Sequence, residues 1–254
     1  MAGPALGAVL IGLALAAPFA AAAGLYLAGA FLMLGLHAVQ SPRAAPRDWR
    51  AELADGLTFL RREPFLRRLV CITGAWTLLA DMALIALVLH AQEDLGLDAP
   101  AHGLVLVAGA LGGVLGGLAG ARAVRWFGPG RTAQRGSVIG IPVFLALPYV
   151  PAAVAAAVLV AFEFGGLLWN AVSTAYRQRR VPDALRGRVH AIYRLVSFAE
   201  MPLGLLFSGA MVEAAQIWLP RGTALMVPVY ATVLGMFVLN IRVWRDIRRG
   251  FDGG

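Results

Sequence analysis

The sequence predicts an all-α polytopic membrane protein, and three observations carry that expectation. Hydrophobic residues make up 59% of the 254-residue chain and charged ones 14%, against soluble norms of roughly 45–50% and about 25%. The charges are clustered, which leaves apolar runs too long for strands or ordinary core helices. The 22 basic residues are all arginine and fall between those runs, a topological pattern rather than a phosphate-binding stripe. Disorder, a disulfide scaffold and a conventional soluble enzyme are thereby excluded. The lipid bilayer is the expected partner, and nucleic acid is not. One cysteine, Cys71, gives no redox evidence.

A hydrocarbon core of about 30 Å needs roughly 20 apolar helical residues. Residues 2–40 carry no charge apart from His37. Ala16-Ala17-Pro18-Phe19 divides them into a shortened first span, about 1–16, and a full second, about 19–39. A signal peptide would need a basic n-region, and no Arg or Lys precedes Arg43. The linker 41–68 is not plain coil. Asp48 can cap a helix, and Trp49, Leu53, Leu57 and Leu60 make an apolar stripe away from Arg50, Glu52, Asp55 and Arg61. Pro64 ends it. This element is either an amphipathic helix on the cytoplasmic interface, anchored by Trp49, or a solvated helix joining two bundles.

Six further spans are expected at about 69–91, 102–121, 136–150, 152–175, 193–215 and 223–241. The fourth is separated from the third by Pro148-Tyr149-Val150-Pro151, because proline lacks an N–H and restricts the residue before it. With the shortened first pass this makes eight helices. Placing the linker and the tail in the cytoplasm puts 21 of the 22 arginines inside, with only Arg221 outside. The outside segment 90–101 carries Glu93, Asp94 and Asp98 instead. That is a clean positive-inside bias. The C-terminus is thus expected in the cytoplasm and the protein in the cell's cytoplasmic (inner) membrane.

Ionisable groups inside a span are costly, and so are candidates for function. Asp81 and Glu163 fall near the midplane of their spans, Glu200 in the cytoplasmic half. Thr73, Thr77 and Asp81 share one helical face; Glu163, Gly166, Asn170, Ser173 and Arg177 step down another. Polar stripes on apolar helices call for water or polar neighbours, as in a central cavity, or for interhelical hydrogen bonds worth about 0.6–2 kcal/mol each. Arg177 lies too far along its helix to be a fixed partner of Glu163. Gly109-Gly113-Gly117 and Gly112-Gly116-Gly120 form overlapping small-residue ladders for close helix packing. Gly3, Pro4 and Gly7 suggest a kinked, close-approach element. His90, Glu93, Asp94, Asp98 and His102 match no fixed metal spacing, so no metal site is expected. No cofactor motif, nucleophile elbow or phosphate-binding glycine loop is present.

The run Arg179-Arg180-Val181-Pro182-Asp183-Ala184-Leu185-Arg186-Gly187-Arg188-Val189, followed by Tyr193-Arg194-Leu195-Val196-Ser197-Phe198, resembles the loop between the tenth and eleventh helices of major facilitator superfamily exporters. The likeness is to the enterobactin-exporter and macrolide-efflux-like branch. The linker from Trp49 to Leu69 is similar to that branch's central loop, and Gly3-Pro4-Ala5-Leu6-Gly7-Ala8 looks like the end of the antiporter motif on the fifth helix. Ala121 to Arg135 resembles the superfamily's loop motif, with Gly128 and Arg131 in place. There Ala121 stands where glycine is usual, Arg125 where an acid is usual and Trp126 where a base is usual. That departure puts the motif's charge-relay role in question.

The resemblance implies a six-helix C-terminal bundle of a major facilitator fold plus about one and a half preceding helices. Residues 1–40 would be the end of the fifth helix and the sixth, 41–68 the cytoplasmic linker, and 69–254 the bundle and a short tail. Counterparts of the first four helices are not in the chain. The spans bearing Asp81 and Glu163 would be the seventh and tenth helices, which line the central cavity. The implied function is part of a proton-coupled exporter of small amphipathic molecules, working with a separate N-terminal bundle or a second copy. In the other reading, from a different class, the chain is a non-transporting membrane scaffold or partner subunit.

Overall fold

The computed structural model of the chain describes residues 10, 14, 16–34, 48–93 and 99–253. Every regular element among them is helical. The order is α1 (Ala17–Leu34), α2 (Trp49–Arg62), α3 (Pro64–Glu93), α4 (Ala99–Phe127), α5 (Pro129–Val138), α6 (Gly140–Ala146), a 3-10 turn (Leu147–Tyr149), α7 (Ala152–Arg180), α8 (Asp183–Gln216) and α9 (Arg221–Asp252). Six of these, α1, α3, α4, α7, α8 and α9, are long and apolar enough to cross a membrane. The expected span at 1–16, with Gly3, Pro4 and Gly7, lies outside the described residues.

The expected span at 136–150 is broken. Pro142 has no N–H to close on the Val138 carbonyl, and Pro148 none for Phe144, so α6 is short and gives way to a 3-10 turn. Val150 and Pro151 are extended, as the residue before a proline prefers, and α7 starts after them. α3, α4, α7, α8 and α9 overrun their expected ends. α8 begins at Asp183 rather than near 193, and α9 continues to Asp252 rather than 241. Only Val181 and Pro182 separate α7 from α8. The arginine-glycine-arginine segment expected as a loop is therefore the first turns of a helix. Likewise α3 starts at Pro64, inside the stretch expected as linker.

Two sets of three passes pack on one another. α3 lies against α8 and α9, and α7 lies against α4 and α5, while α5 and α9 meet across the middle. Exchanging α3 with α7, α4 with α8, and α5–α6 with α9 reproduces the same pairings. Nothing in the residue pattern disclosed this exchange.

The core has an aromatic knot at the arginine-rich end, where Phe65 meets Tyr176 and Phe251 edge-on at 5.0 Å each. Further along, Trp76 stacks on Phe162 at 5.2 Å beside buried Phe144 and Met236. Polar links tie α9 inward. Thr232 donates to the Leu79 carbonyl at 2.7 Å, and the Ser137 hydroxyl meets Asn240 Oδ1 at 2.7 Å. α1 buries none of its residues among those described.

Candidate functional site

The glycine ladders fix α4 against α7. Gly112 and Gly116 of α4 lie against the α7 backbone: a Cβ on Gly112 would sit 2.0 Å from the Val160 carbonyl oxygen, and one on Gly116 2.7 Å from that of Phe164. Gly120 faces the Ala171 methyl in ordinary contact range. The second ladder is divided. Gly109 abuts the Glu163 side chain, Gly113 is buried, and Gly117 faces open space.

With α7 held so, its polar stripe meets that of α3. Thr73 and Thr77 from α3, Gly166, Asn170, Ser173 and Arg177 from α7, and His190, Tyr193, Arg194 and Ser197 from α8 wall a cavity of about 340 Å³. Trp76 and Trp169 complete it, the Trp169 indole donating to Thr73 Oγ1 at 3.3 Å. A second cavity of about 520 Å³ continues toward the arginine-rich end and shares Asn170, Arg177, His190 and Tyr193. A donor chain runs along the shared wall: Arg177 Nη2 to Thr174 Oγ1 at 2.8 Å, and Thr174 to Asn170 Oδ1 at 3.0 Å.

The carboxyls lie elsewhere than the stripes alone suggest. Neither Asp81 nor Glu163 is in the wall of either cavity. Asp81 is half-buried and packs on α8, where a Cβ on Gly204 would meet its Cβ at 3.1 Å. One turn before Gly204, Glu200 is 5% exposed, and its Oε2 has no hydrogen-bond partner. It reaches α3 over Gly74, with Thr77 and Asp81 as its polar neighbours. Thr77 meanwhile donates to the Thr73 carbonyl at 3.0 Å. The structure thus groups Asp81, Thr77 and Glu200 across the α3–α8 contact. Glu163, half-buried, faces Gly109 of α4 instead.

Most ion pairs of the arginine-rich end join different helices, which no spacing within one helix could disclose. Arg188 of α8 reaches Asp55 at 2.9 Å and Glu52 at 3.4 Å on α2. Gly56 lets α2 approach Ile192 and Arg188, and Leu60 is buried in the core there. α2 therefore docks on α8, while Leu53 and Leu57 stay largely exposed. Arg180 pairs with Glu63 at 3.1 Å, Arg68 with Asp246 at 2.9 Å, and Arg186 with Asp183. Gly187 faces open space. Gly128, at φ +80°, turns the chain into α5, a conformation that favours glycine. The Gly130 N–H behind it donates to Asp252 Oδ1 at 2.9 Å, a charge-assisted cap from α9. Arg125 and Arg131 are exposed. At the other end Arg221 pairs with Glu93, Nη2 to Oε1 at 2.7 Å. That hydrogen bond, with the charge behind it, holds the Glu93 carboxyl below its ordinary range. No cluster of metal-ligating side chains occurs among the described residues; Asp94 and Asp98 lie outside them.

The sequence profile of the Major Facilitator Superfamily matches residues 1–205. A search of curated proteins finds a multidrug efflux pump, Tap of Mycolicibacterium fortuitum, 26% identical over 206 residues. The match covers 78% of this chain and 47% of that protein, so the chain spans about half the length of this curated relative. No solved structure matches the chain.

Proposed function

The chain belongs to the major facilitator superfamily, and from that premise we propose that it supplies the second six-helix bundle of a proton-coupled exporter of small amphipathic molecules. The superfamily is one of multi-pass membrane transporters, not of enzymes, and the chain is distantly similar to an efflux pump. The observation that carries the proposal is the cavity where α3, α7 and α8 bring their polar faces together inside an otherwise apolar bundle. Polar walls facing a shared space between membrane helices mark a pathway rather than a lipid face.

On this reading α1 is the sixth family helix and α3 to α9 the seventh to twelfth, of the enterobactin-exporter and macrolide-efflux-like branch. The cargo enters the α3–α7–α8 cavity, and the linker and tail lie on the cytoplasmic side of the cell membrane. Asp81 and Glu200, brought together with Thr77, act as the paired proton site. Two carboxyls in one low-dielectric place do not both ionise easily. A proton loaded there from one side is released on the other as hydration changes. Glu163, at a similar depth in α7, is a second candidate. Alternating access needs two bundles rocking about a midplane site. The chain therefore works with a first bundle, separate or joined, or with a second copy.

The test is dye efflux driven by a pH gradient in vesicles holding the chain together with a first bundle. Asp81→Asn and Glu200→Gln should each abolish pH-driven efflux while leaving expression and substrate exchange largely intact. Normal pH-driven efflux in both variants would refute the proton assignment. No efflux from the unaltered assembly would favour a scaffold instead.

A further inference from the structure

Of the two arginines in the smaller cavity's wall, Arg194 is exposed, whereas Arg177 is partly buried, and proton coupling has no use for it. It stands one turn before the end of α7, where arginines ordinarily turn outward, as exposed Arg179 and Arg180 do. Arg177 turns inward. Its guanidinium lies 4.1 Å from the centroid of the buried Tyr193 ring, and it belongs to the walls of both cavities. A guanidinium carries five N–H donors. One is committed to Thr174 at 2.8 Å.

No carboxylate among the described residues pairs with it, and those at this end are already engaged. Glu63 holds Arg180, Glu52 and Asp55 hold Arg188, Asp246 holds Arg68, and Asp183 holds Arg186. Asp252 caps α5 and Asp48 caps α2. A partly buried cation is costly unless an anion meets it. Tyr193 and, farther along the same cavity wall, Trp76 and Trp169 offer an apolar bed of phenol and indole rings.

We propose that the two adjoining cavities form one site for an amphipathic organic acid, its carboxylate paired with Arg177 and its apolar body against those three rings. The planar guanidinium suits a carboxylate because its parallel N–H groups match the two oxygens. This rests on the exporter reading and names its substrate class: acids are taken in preference to their neutral counterparts.

The purified chain in phosphatidylcholine nanodiscs tests it through saturable tryptophan-to-dansyl energy transfer. The probes are dansyl-undecanoic acid and its methyl ester, alike except for the charge. The acid should bind roughly tenfold or more tightly than the ester, the worth of a charged hydrogen bond. Arg177→Gln should bring the acid down to the ester's affinity and leave the ester unchanged; Arg180→Gln, at a residue whose side chain turns out to Glu63, should keep the preference. Equal affinities in the unaltered protein would overturn the inference without any variant and leave the exporter reading standing. A loss of ester affinity in Arg177→Gln by the same factor would show a packing role only. Displacement of the acid by phosphatidylglycerol in the disc would assign the anion to a lipid headgroup and overturn the substrate assignment. Saturable binding of neither probe would sink the exporter reading as well.

Discussion

Replacing Gly112 by alanine drives a methyl group into the backbone of the neighbouring helix. Its Cβ would lie 2.0 Å from the Val160 carbonyl oxygen and 2.7 Å from Val160 Cα, where carbon and oxygen normally keep about 3.3 Å or more. Both obstacles are backbone, so neither can swing aside, and α4 and α7 must part by about 1 Å or more on this line. Overpacking of this kind costs about 1–3 kcal/mol. Alanine's better helix propensity returns about 0.8–1 kcal/mol. With no flexible side chain to absorb the strain, the upper end applies, and a net loss of about 2 kcal/mol follows. Gly117 on the same helix is the internal control, since nothing lies within 4 Å of its Cβ position. There the same substitution should gain about 0.8–1 kcal/mol. Thermal unfolding in detergent, followed by fluorescence-detected size exclusion, compares the two single variants directly. A Gly112→Ala protein that melts at or above the unaltered one would refute the close-approach argument. So would a Gly117→Ala protein that falls as far.

Arg188→Ala should loosen α2 from α8, raising amide exchange over 49–62 while the bundle stays folded; unchanged protection there counts against the clamp. Because Glu52 and Asp55 are well exposed, a double-mutant cycle with Asp55 should give only about 0.2–1 kcal/mol. The Arg221 hydrogen bond lowers the Glu93 carboxyl's folded pKa, so its stabilisation is present above the unfolded value and fades as pH falls through the lowered one. Acidification from about pH 6 to about pH 3 should therefore narrow the melting gap between the unaltered protein and Glu93→Gln, and a constant gap would contradict this. On topology, cysteines placed at Arg50 and Arg249, both exposed, in a Cys71→Ala background should label from the cytoplasm, and one at Gln92 from outside. Labelling of Gln92 from the inside would invert the assignment.

Six of the expected spans were legible in the sequence because a bilayer crossing demands a long apolar run, and hydropathy records that demand directly; the one at 136–150 was not, because Pro142 and Pro148 break its helix. Their ends were less so. α7, α8 and α9 run past the hydrocarbon into arginine-rich turns, where polarity marks the bilayer's edge and leaves the helix unbroken. Within a helix, spacing also sufficed. Thr73 and Thr77, and Asn170, Ser173 and Arg177, share their faces because a turn is 3.6 residues, and the cavity wall contains both sets. What one face meets is decided by how helices cross. Hence Asp81 has Glu200 beside it and Glu163 has Gly109. Hence also Gly112 is pressed on Val160 while Gly117 is open, and Arg177 is turned to Tyr193 while Arg180 goes out to Glu63. The partners of Arg188 stand 133 and 136 residues away. Period and composition act along the chain, so the sequence by itself determined the class, most of the spans and which residues share a stripe. Contacts between distant segments depend on crossing angle and close approach, so only the tertiary structure decided which stripes face each other and which charges pair across helices.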